Sequence, residues 1–230
     1  MSKQWDAIWI NGSIVTCENS AGLIEQGALA IKDGQIAWVG AMTTLPHIPE
    51  ACADVIYDLQ GGCLTPGFID CHTHLVYAGN RAHEFELRLK GISYKEIAKQ
   101  GGGIQSTVEK TRHATEDELF QQSYQRAFAL RSSGVTTLEI KSGYGLDLET
   151  ELKILRVAQR IGSALDLTIC KTFLGAHTIP KEFKDRPEEY VDLICDQMLP
   201  RVVEAGLADR VDVFCESIAF NLAQTERVFK

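Results

Sequence analysis

Thr65-Pro66-Gly67-Phe68-Ile69-Asp70-Cys71-His72-Thr73-His74 reads, together with Leu64 before it, as a β-strand. In a strand, residues two apart point to the same side, so His72 and His74 share a face with Asp70 beside them. If that face points into the mouth of a barrel, two imidazoles meet at one point in surroundings of low dielectric. That arrangement suits zinc or another borderline divalent metal. A bare H-x-H is also common among ordinary half-buried strand residues, so its meaning depends on what surrounds it.

Downstream, strands alternate with helices. Val135 to Ile140, Leu167 to Leu174 and Val211 to Cys215 are further strand candidates, rich in β-branched residues. Between them, Thr115 to Ser132 opens on a capping box, Thr115 with Glu118 three residues on. Leu148 to Ile161 carries apolar residues at helical spacing and is expected to stop at Gly162. Glu188 to Ala205 is bracketed by Pro187 and Gly206, and Asn221 caps a last helix. Repeated strand–helix units mean a parallel sheet with helices outside. The fold class is therefore α/β. A (β/α)8 TIM barrel needs roughly 250 residues and eight strands. Four strands follow Leu64 here, about the first half of a barrel, so residues 64–230 are expected to form the first four β/α units of a truncated one. An open doubly wound sheet is the alternative, but no Gly-rich phosphate loop follows a strand.

Upstream, residues 1–63 read as part of a small β-sandwich domain, or as a sheet awaiting partners. Asn11-Gly12 between Ala7–Ile10 and Ser13–Thr16 is a strong hairpin signal. Lys32-Asp33-Gly34 joins a second hairpin, and Val55 to Leu59 adds a strand before Gly61-Gly62.

Composition narrows the function. At 45% hydrophobic and 23% charged, the 230 residues have the proportions of a soluble globular protein. A net charge of -8 argues against nucleic acid and anionic membrane surfaces, which require clustered Lys and Arg. Seven scattered cysteines without C-x-x-C spacing indicate neither a zinc knuckle nor a redox motif. The opening Met-Ser-Lys-Gln-Trp-Asp lacks the pattern of a signal peptide, and no apolar run reaches membrane-spanning length, so the expected home is a reducing cytoplasm.

The wider motif Pro66-Gly67-Phe68-Ile69-Asp70-Cys71-His72-Thr73-His74 resembles the hallmark of the amidohydrolase superfamily at the end of the first barrel strand. The resemblance narrows with His74-Leu75-Val76-Tyr77-Ala78-Gly79-Asn80-Arg81, Gly101-Gly102-Gly103-Ile104, Glu139-Ile140-Lys141-Ser142-Gly143-Tyr144-Gly145-Leu146, Phe173-Leu174-Gly175-Ala176-His177 and Phe214-Cys215-Glu216. In order and spacing these are similar to the imidazolonepropionase family. The resemblance implies that His72 and His74 are metal ligands for one divalent ion, zinc or secondarily iron. It implies that Arg81, Tyr144 and His177 hold the small-molecule substrate, 4-imidazolone-5-propanoate, with His177 also catalytic. It further implies a homodimer. Each residue makes chemical sense beside the resemblance: a guanidinium grips a carboxylate bidentately, and all three follow strands on the side where barrels build active sites.

Taken alone, Arg81 would be a solvated surface residue, Tyr144 a loop aromatic and His177 a satisfied loop histidine. Gly101-Gly102-Gly103 reads as a flexible active-site loop and Lys141 as loop structure, while Glu216 is either a site contact or a buried strand-end carboxylate. His47, His83 and His113 read as surface or loop residues. The family's other metal ligands, a His and an Asp from later strands, and its acid–base Glu find no match. The chain alone is therefore expected to bind metal weakly and turn over little. Other readings are a different cyclic-amide hydrolase or deaminase of the superfamily, and a non-catalytic module that needs a partner chain.

Overall fold

The structure, a computed structural model, describes residues 3–18, 22–93, 96 and 102–230. The chain divides into two compact units, Met1–Gly67 and Phe68–Lys230.

Among the described residues, the first unit holds β1 (Trp5–Val15), β2 (Leu23–Lys32), β3 (Gln35–Ala41), a short helix α1 (Pro49–Cys52), β4 (Ala53–Asp58) and β5 (Cys63–Leu64). They form one sheet in the order β3-β2-β1-β4, with β5 also on β1. The β2–β3 hairpin forms as expected. Asp33 and Gly34 both take positive φ, 50° and 75°, as a two-residue type I′ turn requires. Asn11-Gly12 does not turn the chain; β1 runs straight through it. Of the pair only Asn11 has positive φ, and the register with β2 shifts on both sides of Gly12, so the dipeptide makes a bulge. A Cβ at Gly12 would lie 2.5 Å from Leu59 Cδ1, so close approach explains the glycine. Trp5, Ile8, Ala28, Ala30 and Ala53 form this unit's core.

The second unit runs β6 (Phe68–Asp70), α2 (Ala82–Leu89), α3 (Ile104–His113), α4 (Glu116–Ser132), β7 (Val135–Lys141), α5 (Leu148–Leu165), β8 (Thr168–Ala176), α6 (Pro187–Leu193), α7 (Leu199–Glu204), β9 (Arg210–Val213) and α8 (Leu222–Phe229). All pairings are parallel and the order β6-β7-β8-β9 follows the sequence. A doubly wound sheet reverses its order at a switch point; this one does not, and it is a barrel sheet. Two apolar clusters back it. Leu138, Ile140, Ile154 and Ile161 anchor one, and Phe173, Leu155, Tyr190 and Phe220 the other. Each such fully buried side chain contributes about 1.5–3 kcal/mol.

Several elements differ from their expected bounds. The expected strand from Leu64 to His74 is split: Cys63–Leu64 pairs with β1, and β6 begins only at Phe68, after Pro66, which has no N–H for a ladder. Beyond Asp70 the chain stays beside β7 through Thr73, whose hydroxyl donates to Glu139 O at 2.6 Å and whose carbonyl accepts from Lys141 N at 2.9 Å. Gly162 does not stop α5, which ends at Asp166 with φ 51°. A Cβ at Gly162 would lie 2.8 Å from Ile169 Cγ1, so that glycine serves helix–strand contact. The helix expected from Glu188 to Ala205 is interrupted by a π turn, Ile194–Met198, just before Pro200. Pro200 lacks the N–H for an ordinary helical bond, and its ring would crowd a carbonyl in the preceding turn. The capping boxes of α4 at Thr115 and of α8 at Asn221 both form.

Candidate active site

In a parallel sheet every strand delivers its C-terminal end to the same side. That side carries His72, His74 and Arg81 after β6, Tyr144 after β7, His177 after β8 and Phe214 after β9. The rings of His74, Tyr144 and His177 form a triangle. His74 stacks on His177 with centroids 4.8 Å apart and planes 15° from parallel, and each lies 5.5 Å from Tyr144. The His72 ring is 5.6 Å from that of His74. Beside the triangle, a cavity of about 430 Å³ is lined by Arg81, Ile104, Tyr144, His177, Phe214 and Ile218. A hollow of about 500 Å³ on the first unit's sheet is lined by Trp9, Leu29, Ile31 and other apolar groups, with Glu18 the one ionisable lining residue among the described residues. The five candidate residues His72, His74, Arg81, Tyr144 and His177 all lie in the second unit.

The imidazoles are electrostatically distinct from free histidine. Burial, and then the neighbouring His177, His72 and Lys141, push His74 down to about 4. Its Nδ1 is buried with no hydrogen-bond partner. An orphaned imidazole nitrogen beside a second imidazole is a donor set that fits a divalent cation. Among the described residues no group of three His, Cys, Asp or Glu forms a fuller metal site. Burial also lowers His177, whose Nδ1 lies 2.9 Å from the carbonyl of Gly143. A carbonyl only accepts, so Nδ1 carries the hydrogen and, in the neutral ring, Nε2 presents a lone pair. Burial raises the Tyr144 phenol, which stays protonated near neutral pH.

Charged groups beneath the rings fix the strands. Lys141 is not in a loop: it is the last residue of β7, and the face it shares with Glu139 points inward. Its Nζ donates to Glu139 Oε1 at 2.8 Å and Asp212 Oδ2 at 2.9 Å. Burial pulls its pKa down, but the two carboxylates outweigh that and hold it above the ordinary lysine value. Burial raises Asp212 in turn, and its bonds with Lys141 and the Val213 amide outweigh that and hold it low. Arg126 of α4 donates to the carbonyls of Leu75 at 3.0 Å and Tyr77 at 2.6 Å, and stacks 3.9 Å from the Tyr77 ring centroid. The loop after His74 is thus held by its carbonyls.

The structure brings His72, His74, Tyr144, His177 and Arg81 to one end of one sheet. Arg81 is exposed and precedes α2. Glu216 is neither a site contact nor buried: it is exposed and lines a separate hollow with Cys215 and Asn221. His47, His83 and His113 are exposed, as expected, the last two on helices. Gly101 lies outside the described residues; Gly103, with φ 75°, leads into α3 and donates to Glu84 at 2.9 Å. Ile104, Glu139 and Asp212 escaped the sequence reading. The spacing of Glu139 and Lys141, two apart on one strand, was the available signal for a shared charged face.

No family model matches the chain. It is 57% identical over 228 residues to an imidazolonepropionase of Shewanella piezotolerans (strain WP3 / JCM 13877) and 56% identical over 234 residues to one of Shewanella pealeana (strain ATCC 700345 / ANG-SQ1). Both matches cover 97% of this chain and 56% of the relative. The chain is a homologue of the imidazolonepropionases. It spans about half the length of the curated relatives it matches. Among solved structures it resembles a triazine hydrolase from Arthobacter aurescens, with TM-score 0.60 and 14% identity over 96% of this chain and 49% of that one. It also resembles a 5-methylcytosine deaminase from Klebsiella pneumoniae, with TM-score 0.56 and 21% identity over 89% and 42%. The chain thus shares the fold of these two proteins over the length matched, seen here as a partial TIM barrel. None of its described helices is long and apolar enough to cross a membrane.

Proposed function

We propose that this chain supplies the substrate-holding face of an imidazolonepropionase, which hydrolyses 4-imidazolone-5-propanoate to N-formimino-L-glutamate in histidine breakdown. One observation carries the reading: Arg81 lines the same cavity as Tyr144 and His177. A flat heterocycle bearing a propanoate needs those groups, a planar cation for the carboxylate and aromatic walls for the ring.

In the reaction water adds to the ring carbonyl carbon, the adjacent ring C–N bond breaks, and the departing nitrogen takes a proton. Arg81 binds the propanoate carboxylate. Tyr144 lies against the ring and orients it, so positional entropy is lost before the chemistry begins. His177, neutral with its hydrogen on Nδ1, accepts a proton from the attacking water at Nε2; so protonated, it donates a hydrogen bond to the oxyanion developing on the carbonyl and then gives that proton to the departing nitrogen. Ile104, Phe214 and Ile218 supply the apolar part of the cavity lining.

His72 and His74 would hold one divalent metal, zinc or secondarily iron. When bound, such an ion supplies Lewis acidity toward the ring carbonyl and toward water. Within the whole protein, residues 1–63 are read as part of a small β-sandwich-type domain and 64–230 as the first four units of the barrel. The same kinship carries the reading to a homodimer in the cytoplasm.

The test is hydrolysis of 4-imidazolone-5-propanoate by the protein as its own cells produce it. Loss of the imidazolone absorbance with appearance of N-formimino-L-glutamate supports the proposal. Ammonia release from an aminated heterocycle, with the imidazolone untouched, would move the assignment to a deaminase of the same fold.

A further inference from the structure

Glu151, in the first turn of α5, is fully buried, and no basic side chain pairs with it among the described residues. A buried carboxylate without a cation is costly unless hydrogen bonds replace its water. Burial pushes the Glu151 carboxyl up, and hydrogen bonds from Ser142 and three backbone amides pull it only part of the way back. Those amides flank one residue on both sides. Gly143 N donates to Oε2 at 2.9 Å, and Gly145 N and Leu146 N donate to Oε1 at 2.8 Å each. The residue they surround is Tyr144.

The carbonyls of the same loop face other partners. Gly145 O accepts from Arg112 Nε at 2.6 Å and Leu146 O from its Nη2 at 3.2 Å, while Gly143 O accepts from His177. Leu146 is held at φ 57°, a left-handed conformation that a non-glycine residue keeps only when its surroundings impose it. Gly145 leaves room for the carboxylate: a Cβ there would lie 2.9 Å from Glu151 Oε1.

We propose that Glu151 is a positioning residue for the site: by holding the amides of Gly143, Gly145 and Leu146 it sets the pose of the Tyr144 ring and, through the Gly143 carbonyl, that of His177. It touches no reactant. The inference rests on the reading of Tyr144 and His177 as substrate-facing groups.

The test compares the full 230-residue chain with Glu151→Gln by NMR, following amide hydrogen exchange, the Tyr144 ring signals and binding of imidazole-4-propanoate. The amide group of Gln turns one acceptor into a donor, so at least one loop N–H is left unpaired. Exchange at the loop amides should rise by about tenfold or more while the core amides of Leu138 and Ile154 stay protected. The Tyr144 ring signals should shift, and imidazole-4-propanoate should bind about tenfold more weakly. Unchanged loop exchange and unchanged Tyr144 signals in a folded Glu151→Gln chain would overturn the proposal. If Glu151→Gln does not fold, Glu151→Asp decides, because it keeps the charge and draws the carboxylate back from the loop amides. Loop loosening with a protected core then supports positioning; loop and core opening together overturn it. Failure of the parent chain to bind the probe, with the loop still loosened by either variant, would count against the substrate assignment and for the positioning role.

Discussion

Nδ1 of His177 lies 2.9 Å from the carbonyl oxygen of Gly143, and that bond decides which ring nitrogen faces the cavity. Gly143 sits at φ 101°, and a Cβ there would lie 2.9 Å from the same Nδ1 and 2.7 Å from Leu174 O. Gly143→Ala therefore faces both backbone strain and a clash with the imidazole. The expected outcome is a loss of about 1–3 kcal/mol in urea unfolding, with displaced His177 ring signals in the NMR spectrum. A variant as stable as the parent, with His177 unmoved, would show that the bond does not govern the ring.

Lys141 should prove structural rather than reactive. Its ammonium is shared between Glu139 and Asp212, and Thr172 also donates to Glu139, at 2.5 Å. Lys141→Met removes the cation and leaves a buried carboxylate behind, which costs about 3 kcal/mol. The double change Lys141→Met with Glu139→Gln should recover part of that loss, because the uncompensated charge is gone. Equal denaturant midpoints for the single and double variants would exclude this account of the cluster.

Much of the fold was legible because periodicity and capping are local. Thr115 with Glu118 and Asn221 with Gln224 fix helix starts through neighbours within one turn, and both caps form. Errors arose where a distant contact decides. Gly12, Gly162 and Asn11 resemble turn or stop signals, but the glycines are selected by side chains on other elements: Leu59, far along the chain, and Ile169, on the strand that follows the helix. At the site, His72, His74, Arg81, Tyr144 and His177 stood out because each sits in a distinctive motif after a strand. Glu151 and Arg126 did not, since a Glu or Arg on an amphipathic helix looks the same whether it faces solvent or grips a loop backbone.

Acid should destabilise the metal-free chain through the buried imidazoles. His74 titrates at about 4 when folded, against 6.5 ordinarily, and burial lowers His177 as well. Between those values the unfolded chain binds more protons, so the stability present above 6.5 is lost as pH falls toward about 4. Asp212, held below the ordinary 3.8, adds its loss only in stronger acid. Thermal midpoints measured in chelator from neutral pH to about 4.5 should fall for the parent and fall less for His74→Gln. Identical acid profiles would mean that His74 is not the responsible group.

Metal affinity should follow the two adjacent imidazoles. With His72 and His74 but no fuller ligand group among the described residues, zinc should bind this chain far more weakly than it binds three-ligand catalytic sites. Calorimetric titration should give one weak site, lost in His72→Gln and in His74→Gln. Tight binding that survives either substitution would place the metal elsewhere.

The most direct test of the site is the affinity of imidazole-4-propanoate and of plain imidazole for the parent chain, Arg81→Ala and Arg81→Lys. If Arg81 grips the propanoate while Tyr144 and His177 take the ring, Arg81→Ala should weaken the propanoate compound by about 10- to 100-fold. Arg81→Lys should restore only part of that, since an ammonium cannot form the planar fork, and imidazole itself should bind all three chains alike. Equal affinity of imidazole-4-propanoate for the parent and Arg81→Ala would contradict the assignment of this cavity to a ring that carries a carboxylate.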